Sequence, residues 1–112
     1  MSWEAAIVDG LIDAEIDFVT QLPDGAMGAV LTGLDDAGVE TLRVEREESA
    51  VAAASGAWVT GGRAAVICQS SGLANAINAI GSLSLPARLP FLALVTRRGG
   101  LGEFNVAQVP AG

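Results

Sequence analysis

Residues 64–78 run Ala64-Ala65-Val66-Ile67-Cys68-Gln69-Ser70-Ser71-Gly72-Leu73-Ala74-Asn75-Ala76-Ile77-Asn78. The first five form an unbroken apolar run without alternation. Such a run predicts a strand covered on both faces, as in a parallel sheet. A short polar turn, Gln69 to Gly72, follows it. Apolar spacing then predicts a helix from Leu73 to Leu83, with Pro86 beyond its end. Strand, polar turn and helix in this order place hydroxyls and backbone N–H groups at the carboxyl end of a buried strand.

The flanking sequence repeats the alternation. Trp3, Ile7, Leu11 and Ala14 recur at helical spacing behind Ser2, a plausible N-cap. Residues 17–22 read as a short strand, closed by the Pro23-Asp24-Gly25 turn. Met27, Val30, Leu31 and Leu34 form a second helical stripe that Gly38 ends. A strand over 39–44, a helix over 46–60 stopped by Gly61-Gly62, and a buried strand over 91–95 complete the series. Four helix–strand pairs predict an α/β fold of three layers, a parallel sheet with helices on both faces, forming one domain over residues 1–112. Residues 97–112 read as a glycine-rich loop. Ligands in such folds bind beyond the carboxyl ends of the strands. Gln21 to Gly25, Gln69 to Gly72 and Thr96 to Gly99 all fall there, and Glu47 follows the end of another strand.

Composition narrows the chemistry. Thirteen acidic residues face six basic ones, all arginine, for a net charge of −7. No basic run is present, so neither nucleic acid nor an acidic membrane surface is an expected partner. No apolar run suits a bilayer span, and Ser2-Trp3-Glu4 opens the chain without the basic start of a signal peptide, so a cytoplasmic protein is expected. Cys68 is the sole cysteine, which excludes an internal disulfide; in an apolar strand it reads as an inert core residue. With no histidine and one cysteine, this chain cannot build a zinc site of the usual kind or a Ser-His-Asp triad. Hydrophobic residues make up 51%, with 14 glycines besides, above the usual apolar share of about 45–50%. A domain this small has much surface for its volume, so part of that material is expected in a subunit interface.

Three segments carry polar chemistry. Glu47 lies in the first turn of a helix, where the dipole favours an anion, on a helix with Ala50, Ala54 and Ala57 along one face. Glu45, Glu47 and Glu48 read equally well as solvated charges at a helix start. Gln69 to Asn78 suits a polar ligand, or holds an ordinary cap at Ser70 or Ser71; it is neither a Walker loop nor a GxGxxG fingerprint. Arg97 and Arg98 at a strand end could meet a doubly charged acid or face solvent.

Taken together these residues resemble a family. Glu47-x-x-Ala50, Ala54-x-Gly56 and Thr60-Gly61 are similar to the pattern of thiamine-diphosphate enzymes. Gln69-x-Ser71-Gly72-Leu73-x-Asn75-x-x-Asn78 resembles sulfopyruvate and phosphonopyruvate decarboxylases. Arg98-Gly99, Gly102 to Asn105 and Gln108-Val109-Pro110 resemble the sulfopyruvate decarboxylase alpha subunits most. The resemblance implies a pyrimidine-binding domain that works with a separate beta subunit. That subunit would hold Mg2+ and the diphosphate through a Gly-Asp-Gly…Asn motif absent here. It further implies a small 2-keto acid substrate, thiamine diphosphate as cofactor, and Glu47 as the catalytic carboxyl. Glu47 would share a proton with N1′ of the aminopyrimidine and favour the tautomer that deprotonates the thiazolium carbon. Gln69, Ser70, Ser71, Gly72 and Leu73 would line the cofactor, no residue here would bind metal, and Asp24, Arg97 and Asn105 would meet the substrate. Relatives continue with another helix and a closing strand, so on this resemblance the domain reads either as C-terminally truncated, a fragment or an early-ended gene model, or as a minimal variant. They also often carry a histidine where this chain has Val106-Ala107-Gln108. The last proton transfer would then come from the partner, water or another side chain. Outside the family, the sequence is also compatible with a non-catalytic α/β interaction module in which the alanine face only packs.

Overall fold

The structure, a computed structural model, describes residues 2–97. Helix α1 (Trp3–Asp13) begins at Ser2, whose hydroxyl accepts the Ala5 N–H at 3.1 Å, and buries Val8 and Leu11. Strand β1 (Phe18–Gln21) leads through a single turn of 3-10 helix at Gly25–Met27 into α2 (Gly28–Asp36). Strand β2 (Glu40–Arg43), helix α3 (Glu47–Val59) and strand β3 (Ala64–Gln69) follow. Gly38 and Gly61, just past α2 and α3, take φ of 83° and 91°. A side chain would be strained in that left-handed conformation, so glycine ends both helices.

The last helical segment departs from expectation. It starts at Ser70, directly on the final residue of β3, where a turn reaching to Gly72 was expected. It is also divided, into α4 (Ser70–Asn75), α5 (Ile77–Ala79) and a π-helical turn, Ile80–Ser84, closed by the Leu85 N–H on the Ile80 carbonyl at 2.9 Å. Weak helix formers at 70–72 hide the start in a propensity reading. Strand β4 (Leu92–Thr96) completes the sheet. The other boundaries lie within one or two residues of those expected.

All pairings are parallel and the strand order is β2-β1-β3-β4. The two faces of β3 separate the core into halves. Ala65 and Ile67 join Val19 beneath α1 and α2, with Val30 and Leu34. Ala64, Val66 and Cys68 meet Ala50 and Ala54 of α3, with Phe91 and Leu73 alongside. The three-layer α/β arrangement is thus as expected. The alanine face of α3 packs on the chain's own sheet: Ala50 and Ala54 are fully buried. Their short side chains let α3 lie close enough for Thr20 Oγ1 of β1 to donate to the Ala50 carbonyl at 3.1 Å. That buried bond fixes the first turn of α3, and Glu47 with it, over the centre of the sheet.

The core does not take up all the apolar residues. Ile77 and Leu85 are 64% and 70% exposed, and Leu92 on the edge strand is 47% exposed. Among the described residues no helix is long and apolar enough to cross a membrane.

Candidate functional site

The connection from β1 passes to β2 on one side, while the connection from β3 passes to β4 on the other. The carboxyl ends of β1 and β3 therefore diverge in their following helices, which opens a crevice between them. A cavity of about 270 Å³ lies there. Leu22 and Pro23 line it from the end of β1, Cys68 and Gln69 from β3, Ser71, Gly72 and Asn75 from α4, and Glu47 from α3.

Glu47 is half-buried and lies against the bare Cα of Gly72. A Cβ at Gly72 would stand 2.9 Å from Glu47 Cγ and 3.0 Å from its Cδ. Only glycine admits the glutamate in this position. One turn along α4, Asn75 Nδ2 donates to Glu47 Oε1 at 3.3 Å. Glu45 and Glu48 belong to a neighbouring cavity of about 380 Å³, which shares only Glu47 and Asn75 with the first. Glu48 pairs with Arg46 at 2.8 Å. A hydrogen bond from its own backbone N–H, aided by Arg46, holds the Glu48 carboxyl below the usual range. Of the three glutamates, Glu47 alone reaches the crevice between β1 and β3.

Cys68 is buried in the wall beneath Glu47. Burial, and secondarily the negative charge of Glu47, push its thiol pKa up, so it stays protonated and is a poor nucleophile. The N-cap position of α4 is Gln69, without a side-chain cap bond, so neither Ser70 nor Ser71 is the cap residue. Leu73 packs into the core half under α3.

Of the expected substrate residues, neither Asp24 nor Arg97 is among the side chains that line this cavity. Asp24 follows Pro23, and both its oxygens accept hydrogen bonds within the chain: Oδ1 from the Ala26 N–H at 3.0 Å, Oδ2 from Thr96 Oγ1 at 2.6 Å. This contact joins the loop after β1 to the end of β4. Arg97 comes next after Thr96 and is exposed. Asn105 and Arg98 lie outside the described residues. Asn75, Leu22 and Pro23 were not singled out as site residues from sequence. The i, i+3 spacing of Gly72 and Asn75 puts them on one helical face and is the signal by which Asn75 could have been found.

The donor set fits an aminopyrimidine. A carboxylate standing at the side of a crevice suits a ring nitrogen, and the cavity of about 270 Å³ beside it has room for a flat group.

Residues 1–100 match the family described as thiamine pyrophosphate enzyme, N-terminal TPP binding domain. Fold, crevice and match define a thiamine-pyrophosphate-binding domain of the N-terminal type. The chain is 38% identical to the sulfopyruvate decarboxylase subunit alpha of Methanococcus maripaludis, over all of this chain and 68% of the relative. It is 36% identical to the phosphonopyruvate decarboxylase of Streptomyces viridochromogenes, over 93% of this chain and 26% of that protein. A 2-oxoglutarate:ferredoxin oxidoreductase from Magnetococcus marinus shares the fold, with a TM-score of 0.71 at 22% identity over 89% of this chain and 18% of that one. The chain belongs to the family of sulfopyruvate decarboxylase alpha subunits among the thiamine pyrophosphate enzymes.

Proposed function

We propose that the chain is the pyrimidine-binding half of a decarboxylase that converts 3-sulfopyruvate to sulfoacetaldehyde and CO₂. The observation that carries this is the placement of Glu47 against Gly72 in the crevice between β1 and β3. Bound thiamine diphosphate supplies the electron sink for loss of CO₂. The chain's own residues bind and orient. Glu47 meets the ring nitrogen N1′ and holds or shares its proton. Gln69, Ser71 and Gly72 form the polar side of the pocket and Leu22, Pro23 and Cys68 its apolar side, while Ser70, expected at the cofactor, is not among the lining residues. Leu73 anchors α4 beneath them.

Mg2+ and the diphosphate belong to a beta subunit, through the motif this sequence lacks. The exposed Ile77, Leu85 and Leu92 are consistent with a partnered surface. Arg97 and Asn105 are the contacts assigned to the acid groups of the substrate. Asp24, with both oxygens occupied, sets the loop that carries Pro23 beside that pocket. A cytoplasmic location is part of this reading.

Phosphonopyruvate is the second reading, favoured by the comparable identity to the Streptomyces enzyme. Both substrates end in a tetrahedral anion that an arginine can hold. Co-expression with a beta subunit, followed by CO₂ release from each acid, tests both. Release from sulfopyruvate at the higher kcat/KM is expected. Release from neither, in a complex that binds the cofactor, refutes the proposal.

A further inference from the structure

We propose that Asn75 is a positioning residue for Glu47, an inference that rests on the role just given to Glu47. Two features of α4 act on that one side chain. Gly72 receives its aliphatic stem, so close that a Cβ would stand 2.9 Å from Cγ. Asn75, three residues on and on the same helical face, donates Nδ2–H to Oε1 at 3.3 Å. A glutamate otherwise turns about three side-chain bonds. Here the stem is fixed by contact and one oxygen by a donor.

The result is a division of labour between the two oxygens. Oε1 is turned to Asn75, and Oε2 has no hydrogen-bond partner among the described residues. Oε2 is therefore the oxygen presented to a ligand. An amide suits this place. It donates without charge, whereas a carboxylate there would repel Glu47 and a lysine would bind it as an ion pair. Asn75 also stands where the two cavities meet, lining both together with Glu47. Loss of its side chain lets the carboxylate swing toward the cavity of Glu45, Arg46 and Glu48.

The test uses the complex reconstituted with the beta subunit. Asn75 is exposed, so its replacement is tolerated by the fold. Asn75→Ala and Asn75→Asp are compared with the wild type and with Glu47→Gln. The readouts are exchange of the bound cofactor's thiazolium C2 proton for deuterium without substrate, the cofactor dissociation constant, and crystal structures of the cofactor-free complex. Exchange is expected to fall about tenfold in Asn75→Ala, the size of one hydrogen bond to a charged group at a half-exposed site. The isosteric Asn75→Asp should fall further, with the unfolding midpoint unchanged. In the Asn75→Ala crystal, the Glu47 carboxylate should have left the Gly72 face. Wild-type exchange in both Asn75 variants, with loss in Glu47→Gln, overturns the positioning role alone. An unmoved carboxylate in Asn75→Ala overturns it as well. Unchanged exchange in Glu47→Gln removes the role of Glu47 itself, and this inference with it.

Discussion

Replacing Gly72 by alanine puts one methyl group into the space that Glu47 occupies. The new Cβ would lie 2.9 Å from Glu47 Cγ and 3.0 Å from Cδ, where carbon atoms ordinarily rest about 3.5–4.0 Å apart. The stem must move by at least about half an ångström, and its carboxylate moves with it. Misplacing a reacting group by about 1 Å costs on the order of 10²-fold in rate. A loss of roughly 10- to 100-fold in kcat is therefore expected for Gly72→Ala. Stability should respond less. Gly72 lies within α4 and is not in the left-handed region, so alanine gains about 0.5–1 kcal/mol in helix preference. Crowding opposes this by about 1–3 kcal/mol, relieved in part when the half-exposed Glu47 turns. The net change should stay within about 2 kcal/mol. The assay is CO₂ release from sulfopyruvate by the reconstituted complex, with thermal unfolding alongside. A kcat within twofold of wild type would refute the contact as a determinant of catalysis. So would a rate loss that only parallels unfolding.

Glu47→Gln keeps the shape of the side chain and removes its acid–base capacity, so turnover should nearly vanish while the complex still assembles; near-normal CO₂ release would count against the assignment. Ser55 and Ser84 share a buried hydrogen bond of 2.9 Å that ties α3 to the π-helical turn. Ser55→Ala leaves the Ser84 hydroxyl unpartnered and should cost about 1–3 kcal/mol in chemical denaturation, with the double alanine variant costing less than the two singles added. Thr20→Val breaks the buried bond to the Ala50 carbonyl and should lose about 1–2 kcal/mol; no measurable loss would show that packing alone seats α3. Cys68 gives a pH signature. Its raised thiol pKa means that the folded chain keeps a proton the unfolded chain releases above about pH 8.5. The stabilisation is whole below that pH and is lost as pH rises toward the folded pKa. The thermal midpoint should thus fall more for wild type than for Cys68→Ala between about pH 7 and 10, and equal falls would contradict it.

The layered fold was legible because each element carries its own period. The unbroken run Ala64 to Cys68 has no polar face, so it belongs in a sheet covered on both sides. Helical stripes such as Val30 and Leu34 name the faces that cover it. The reading failed in the last helical segment. At 70–72 serine and glycine lack helix preference, and contact with the sheet and with Glu47 sets the backbone. At Ala76 and Ile80–Ser84 the expected single helix is divided. Glu47 and the Ser71-Gly72 segment could be suspected from their places after strands. Their meeting could not, since 25 residues and a whole strand separate Glu47 from Gly72.

Residue order by itself thus determined the alternation of helix and strand, the side of the sheet where polar groups gather, and the family pattern. It did so because periodicity and turn chemistry are local. Strand order, and so the crevice between β1 and β3, was decided by tertiary structure, because parallel neighbours are chosen by packing across long connections. The same holds for the choice among three glutamates. Glu45, Glu47 and Glu48 are chemically alike in sequence. Only the contact of α3 with the sheet, and of Gly72 and Asn75 with one side chain, sets Glu47 apart.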